Sequence, residues 1–293
     1  MHEPLPYLLR NISDPPSRLF LRGTLPDESA PTIAIVGTRK ASEYGRRLAR
    51  LFARELALAG ATIVSGLAFG IDAEAHEGCL EARGRTVAVL PTHTDEVYPR
   101  MHESLARRIV EGGGALVSEY PPGTSAFKDN FLARNRIVSG LSRAVIVIEA
   151  PRASGALNTA GHAASQGREV FVAPGPAGSA NFEGSHALIR DGARLVGRPD
   201  DVIEDLAPLF ADARGAPDVP PFAGRALNEF EEKIVEALGM SLEPLSLELL
   251  IGTVRLPPQD VMQTLTVLTI EHIVAETDLG YTLAAKTSRR ASP

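Results

Sequence analysis

Seven short runs of apolar, mostly β-branched residues recur along the chain between Thr32 and about Leu206: IAIVG (33–37), ATIVS (61–65), TVAVLP (86–91), ALVSE (115–119), AVIVIEA (144–150), EVFVAP (169–174) and ARLVG (193–197). None alternates apolar with polar, which predicts strands buried on both faces, as in a parallel sheet. Segments of helical length separate them. One, SEYGRRLARLFARELALAG (42–60), closes on a glycine suited to a helix stop. The alternation predicts a doubly wound, mostly parallel α/β sheet over residues 32–206.

The flanks read differently. PYLLRNISDPPSRLFLRG (6–23) is rich in Pro and Asp-Pro turn signals, so residues 1–31 are expected to form an extended segment packed on the sheet. APLFADARGAPDVPPFAG has linker composition over 207–224. Residues 225–285 then read helix, helix, helix, hairpin, with Asp278, Leu279 and Gly280 near the turn, the order of a small winged-helix domain. Residues 286–293 are expected to be a disordered tail.

Composition adds limits. The chain has 293 residues, 44% apolar and 23% charged, which suits a soluble globular protein. Its apolar stretches are far shorter than a membrane span, and its single cysteine, Cys79, fits a reducing compartment, so a cytoplasmic protein is expected. The formal charge is -6, with six basic and ten acidic groups in residues 225–293 against twenty-four and twenty-six before them. Neither part is basic, and a polyanion site must therefore be local.

In a doubly wound sheet, ligands sit beyond the carboxyl ends of the strands. In VGTRKAS (36–42), Gly37 opens the turn, Arg39 offers a planar donor fork and Ser42 suits a helix N-cap. By itself Arg39 reads equally well as a surface charge. In SGLAFGIDAEAH (65–76), Gly66 and Gly70 straddle a turn into a helix, where backbone N–H groups can face a phosphate. The GxGxxG spacing and the acidic ribose partner of a dinucleotide site are missing, so no nicotinamide cofactor is expected. Asp72 and His76, at i and i+4, are better explained by local bonding than by catalysis, because no nucleophile or metal-ligand cluster lies beside them. A third loop, EAPRASGALNTAGHA (149–163), brings Ser154, Gly155, Asn158 and Thr159 to a helix start.

KDNFLARNRIVSG (128–140) concentrates Lys128, Arg134 and Arg136 in an acidic chain. As a helix it places Lys128, Phe131 and Asn135 on one face with Arg134 at its flank. A phosphate-binding cation, a ring for base stacking and an amide for base edges make up a single-strand binding set. Burial in the core is the competing reading for Phe131. Arg136 points elsewhere, toward a carboxylate such as Asp72 or Glu119.

Taken together, VGTRKASEYG (36–45), SGLAFGIDAEAH (65–76), VYP (97–99), SEYPPG (118–123), FLARNRIVSGLS (131–142), SGALNTAGHA (154–163), GREVFVAPG (167–175) and ALIRDGA (187–193) resemble the DNA-processing protein A family. The resemblance implies an extended Rossmann-like domain that binds single-stranded DNA in natural transformation, protects it, and loads the recombinase RecA on it. It also implies a homodimer formed through that domain, no cofactor or metal, and no enzymatic activity. By motif position, Arg39, Lys128, Phe131, Arg134 and Asn135 are the implied DNA contacts, with Gly37, Gly66 and Gly70 shaping the pocket. PTHTDEVYP (91–99) departs from the family's glycine-bearing turn at Thr92 and His93, and the sequence starts at the extended segment where many members first carry a helical domain. PPQDVMQTLTVLTIE (257–271), in the place of a DNA-reading helix, has no Lys or Arg, and only Gln259 and Gln263 suit base contacts. The winged helix is therefore expected not to grip DNA strongly. The competing class is a Rossmann-like nucleotide phosphoribohydrolase resembling the lysine-decarboxylase-like family, whose PGGxGTxxE motif supplies a carboxylate that SGALNTAGHA lacks.

Overall fold

The apolar runs become the central strands of one sheet, and along five of them every residue is buried. A computed structural model describes residues 5–211, 227–241, 244–270, 273–277 and 279–283. The chain divides into two units, Met1–Val219 and Pro220–Pro293.

The first unit runs α1 (Tyr7–Arg10), β1 (Phe20–Gly23), β2 (Thr32–Val36), α2 (Glu43–Leu58), β3 (Thr62–Ser65), α3 (Ile71–Glu81), β4 (Thr86–Val89), α4 (Glu103–Glu111), β5 (Ala115–Ser118), α5 (Lys128–Gly140), β6 (Ala144–Val147), α6 (Gly155–Ser165), β7 (Glu169–Val172), α7 (Glu183–Arg190), β8 (Arg194–Leu195), α8 (Pro199–Asp205) and α9 (Ala207–Phe210). The strand order is β1-β5-β4-β3-β2-β6-β7-β8, parallel throughout except for β1 against β5. This is the mixed α/β architecture expected, with two differences at its edges. The segment before Thr32 contributes an antiparallel strand, Phe20 pairing Ser118 and Gly23 pairing Ala115. The last run is not buried on both faces, since Arg194 and Leu195 of β8 are exposed at the opposite edge.

Helix α2 shows how the sequence builds a layer. Leu48, Ala49, Phe52, Ala53, Leu56 and Ala57 form a buried stripe at helical spacing, while Arg46, Arg47, Arg50 and Arg54 stay at the surface. The Ser42 hydroxyl caps its start, accepting from the Gly45 N–H at 3.0 Å.

The second unit is α10 (Glu229–Met240), α11 (Leu247–Val254), α12 (Pro258–Ile270), β9 (Val274–Thr277) and β10 (Gly280–Leu283), the last two an antiparallel pair. That is the element order of a winged helix, closed over Ile234, Leu238, Leu250, Val261, Leu265, Leu268 and Val274. Gln259, Met262, Gln263, Thr266 and Val267 form the exposed stripe of α12, and it bears no charge. Among the described residues of this unit the basic side chains are Lys233, paired with Glu229 at 2.7 Å, and Arg255. The expected linker begins as α9, and from residue 212 on it lies outside the described residues. The expected tail, 286–293, and Asp278 of the expected turn also lie outside them.

Candidate nucleic-acid interface

Strand order reverses between β2 and β6, and the loops leaving β2, β3 and β4 meet the start of α5 on one side of that switch point. The Ile71 N–H donates to the Thr38 carbonyl at 3.2 Å, joining the first two loops. His102 Nδ1–H donates to the Leu67 carbonyl at 2.8 Å, and Asn130 Nδ2 to the Pro91 carbonyl at 3.1 Å, so the β4 loop and α5 are tied to the same edge.

Arg39 and Phe131, ninety-two positions apart in sequence, meet here. The Arg39 guanidinium carbon lies 4.7 Å from the ring centroid, within cation–π range. The ring is half-buried, and its second neighbour is Tyr98, at 5.3 Å and 73°. Phe131 is thus a wall residue, between the core and exposed readings. Lys128, exposed, is the first residue of α5 and one turn ahead of Phe131. The helix has no side-chain N-cap, and its first turn carries Asp129 next to Lys128.

Arg134 and Asn135 must be corrected. Their side chains are only 4% and 9% exposed, and most of their donors bond to protein. Arg134 Nη1 donates to the carbonyls of Gly66 and Val89, and its Nε to Asn135 Oδ1 at 3.3 Å. Asn135 Nδ2 donates to Asn158 Oδ1 at 3.1 Å and to the Gly155 carbonyl at 3.3 Å. Asn135 thus has both amide donors engaged, whereas Arg134 Nη2 bonds to no protein group and is not sealed in the interior. Burial lowers the Arg134 guanidinium to about 10, against the opposing pull of Asp72, and it stays charged at neutral pH. Its bonds tie α5 to the β3 loop and to the end of β4.

The glycines are explained by close approach. A Cβ on Gly66 would strike the Arg134 guanidinium, and one on Gly37 the Ile71 side chain. Gly70 has φ +76°, and a Cβ there would lie 2.9 Å from the Arg39 carbonyl carbon. The three therefore shape the loops.

The expectation that helix-start amides face a phosphate also needs correction, because the protein fills those places with its own carboxylates. Asp72 Oδ2 accepts from the Gly66 N–H at 3.1 Å and the Ala68 N–H at 3.5 Å. Burial pushes its carboxyl above the usual range, against the pull of Arg134 and of these two amides. At the start of α2, beside the switch point, the buried Glu149 accepts from the Ser42 N–H at 3.1 Å, the Ser42 hydroxyl at 2.7 Å and Asn181 Nδ2 at 2.5 Å. A nucleotide phosphate placed there would meet a carboxylate. The exposed cations at this edge include Arg39 and Lys128.

His76 is likewise internal. Thr86 gives its hydroxyl proton to the Ile63 carbonyl, so at 2.7 Å it accepts from His76 Nδ1–H, leaving Nε2 buried without a partner. Burial, with His102 and Arg134 nearby, lowers the imidazole to about 3. Arg136 pairs with Glu119 at 2.7 Å and Asp14 at 2.9 Å, not with Asp72. Among the described residues no group of three or more His, Cys, Asp or Glu could hold a metal ion, and no helix is long and apolar enough to cross a membrane. Sequence reasoning passed over Tyr98 and Glu149. The first stood within VYP as an aromatic in a loop at the carboxyl edge, and the second as an acid ending an apolar strand.

Known proteins resemble this chain in sequence and fold. Protein Smf of Escherichia coli is 47% identical over 194 residues, which are 66% of this chain and 52% of that protein. DNA processing protein DprA of Streptococcus pneumoniae is 41% identical over 202 residues, 69% of this chain and 71% of that protein. The chain thus spans only about half of the E. coli relative. An X-ray structure of the S. pneumoniae protein superposes with a TM-score of 0.63 at 39% identity, over 69% of this chain and 70% of that one. A structure of DNA processing protein A from Helicobacter pylori, described for its single-stranded DNA binding mode, gives 0.64 at 31% identity over 70% of this chain and 94% of that one. The profile of one family, DNA recombination-mediator protein A, matches residues 1–207, and the chain belongs to that family.

Proposed function

We propose that the protein binds single-stranded DNA at the edge formed by Arg39, Lys128 and Phe131, with phosphates on the two cations and an unpaired base on the flat layer made by the ring and the guanidinium. The observation that carries this is the Arg39–Phe131 stack at 4.7 Å, one helical turn from Lys128 in an otherwise acidic molecule. The relative from H. pylori, whose structure concerns its single-stranded DNA binding mode, supports the choice of ligand. Protection of the strand, loading of RecA, pairing of two protomers through the first unit and action in the cytoplasm follow from family membership as parts of the same proposal. Two modest sites on one strand would multiply affinity without further charge per protomer.

Nucleotide hydrolysis is the competing chemistry. The SGALNTAGHA turn offers no carboxylate, and Asp72 and Glu149 are engaged by backbone amides, Ser42 and Asn181. Two assays separate the readings. Fluorescence anisotropy with single- and double-stranded oligonucleotides reports binding, and incubation with nucleoside monophosphates reports released base. Base release without oligonucleotide binding would overturn the proposal.

A further inference from the structure

Phe69, Tyr98, Met101 and Phe127 are large apolar side chains left exposed on the β3 and β4 loops and at the start of α5. Exposed aromatic surface beside a cationic rim is the mark of a contact surface. Two of these rings are held in place. Tyr98, 42% exposed, packs nearly perpendicular to Phe131. Phe69, 40% exposed, packs at 4.9 Å and 67° on His102, whose own ring is fixed by its bond to the Leu67 carbonyl. Tyr98 adjoins Phe131 directly, and Phe69 precedes Gly70, whose backbone packs against Thr38 and Arg39, so both rings stand on loops that carry the Arg39–Phe131 contact. Because Tyr98 stands at 73° to Phe131, the two cannot share one face of one base. They suit neighbouring bases of a strand that turns.

We propose that Tyr98 and Phe69 form a second base-binding wall, so that the cleft takes consecutive unpaired bases, one at Phe131 and the next against Tyr98 and Phe69. This rests on the single-strand reading of the same cleft. It gives a physical reason for selectivity, because a base held in a duplex cannot present its face to rings in a corner.

The test uses the full chain, a fluorescent oligo(dT) of about 20 nucleotides, and an abasic strand of equal length with the same phosphates. Tyr98→Leu and Phe69→Leu should each weaken oligo(dT) binding about 5- to 160-fold, the size of one base–ring stack, and leave abasic binding within about twofold. Tyr98→Phe should bind like the parent, since the ring and not the hydroxyl makes the wall. If the Leu variants bind oligo(dT) as the parent does while Phe131→Leu loses affinity, the second wall is wrong and the cleft reading stands. Equal parental affinity for both strands removes base stacking altogether, and binding to neither removes the proposed function. Cross-linking of the unmodified protein to a strand carrying 5-iododeoxyuridine supplies a check independent of folding. Adducts on Tyr98 or Phe69 are expected, and adducts confined to other residues would overturn the inference.

Discussion

Replacing Arg134 by methionine separates a floor residue from a DNA contact. The variant keeps much of the side-chain volume but removes the donors to the Gly66 and Val89 carbonyls and the cation that opposes Asp72. Breaking a buried charged arrangement from one side costs about 3–5 kcal/mol. For a domain of this size each kcal/mol moves Tm by about 2–4 °C, so a fall of roughly 6–20 °C is expected. The loss should shrink as the pH is lowered. Asp72 has a raised folded-state pKa, and without Arg134 it rises further, so the folded state binds the extra proton and gains stability on acidification. Circular dichroism melts and urea titrations measure both effects. Arg39→Ala, which removes an exposed cation–π partner, should cost no more than about 1 kcal/mol. At about 15 °C, where Arg134→Met is folded, its binding should keep the parental salt slope, whereas Arg39→Ala should flatten it by about 0.7. An Arg134→Met protein that melts within about 2 °C of the parent and loses that slope would make Arg134 a phosphate contact and refute the reasoning.

Other consequences are open to direct measurement. His76 is held near 3 against an ordinary value of 6.5, so the unfolded state binds the proton between them and stability falls as pH drops through that window. Urea midpoints from about pH 6.5 to 4.5 should show a loss of about 2–3 kcal/mol from this group, and His76→Asn should flatten that limb. Deleting residues 225–293 should leave most single-strand affinity in place, because the exposed stripe of α12 carries no cation. A large loss would give the second unit a DNA-binding role that its charges do not explain.

Seven apolar runs and their spacing were enough to read the parallel sheet, because a strand buried on both faces has to be continuously apolar. β1 escaped notice because four residues in a Pro-rich segment show no usable period, and its pairing with β5 is a long-range event. At the candidate site, loop position and helical spacing brought out Arg39, Lys128 and Phe131, the family resemblance gave them a common role, and the structure brings Arg39 and Phe131 together. Arg134 and Asn135 could not be ruled out in the same way. Helix α5 is exposed at its first turn and buried all round by residues 137–140, so depth changes along its axis, which a helical face cannot reveal. The occupation of the two helix-start anion sites depends on side chains meeting across the fold, Glu149 reaching Ser42 over 107 positions.

The central claim is that a two-cation cleft, not a helix-start anion site, takes an unpaired strand. Anisotropy with single- and double-stranded oligonucleotides of equal length, from about 50 to 200 mM salt, tests it most directly. With Arg39 and Lys128 as the phosphate contacts, log affinity for the single strand should fall with a slope near -1.4 per protomer, about 7-fold over that range, or about 50-fold when two protomers share a strand. The duplex should bind more weakly throughout. Equal affinity for the duplex, or a single-strand slope that Arg39→Ala and Lys128→Ala leave unchanged, would contradict the account.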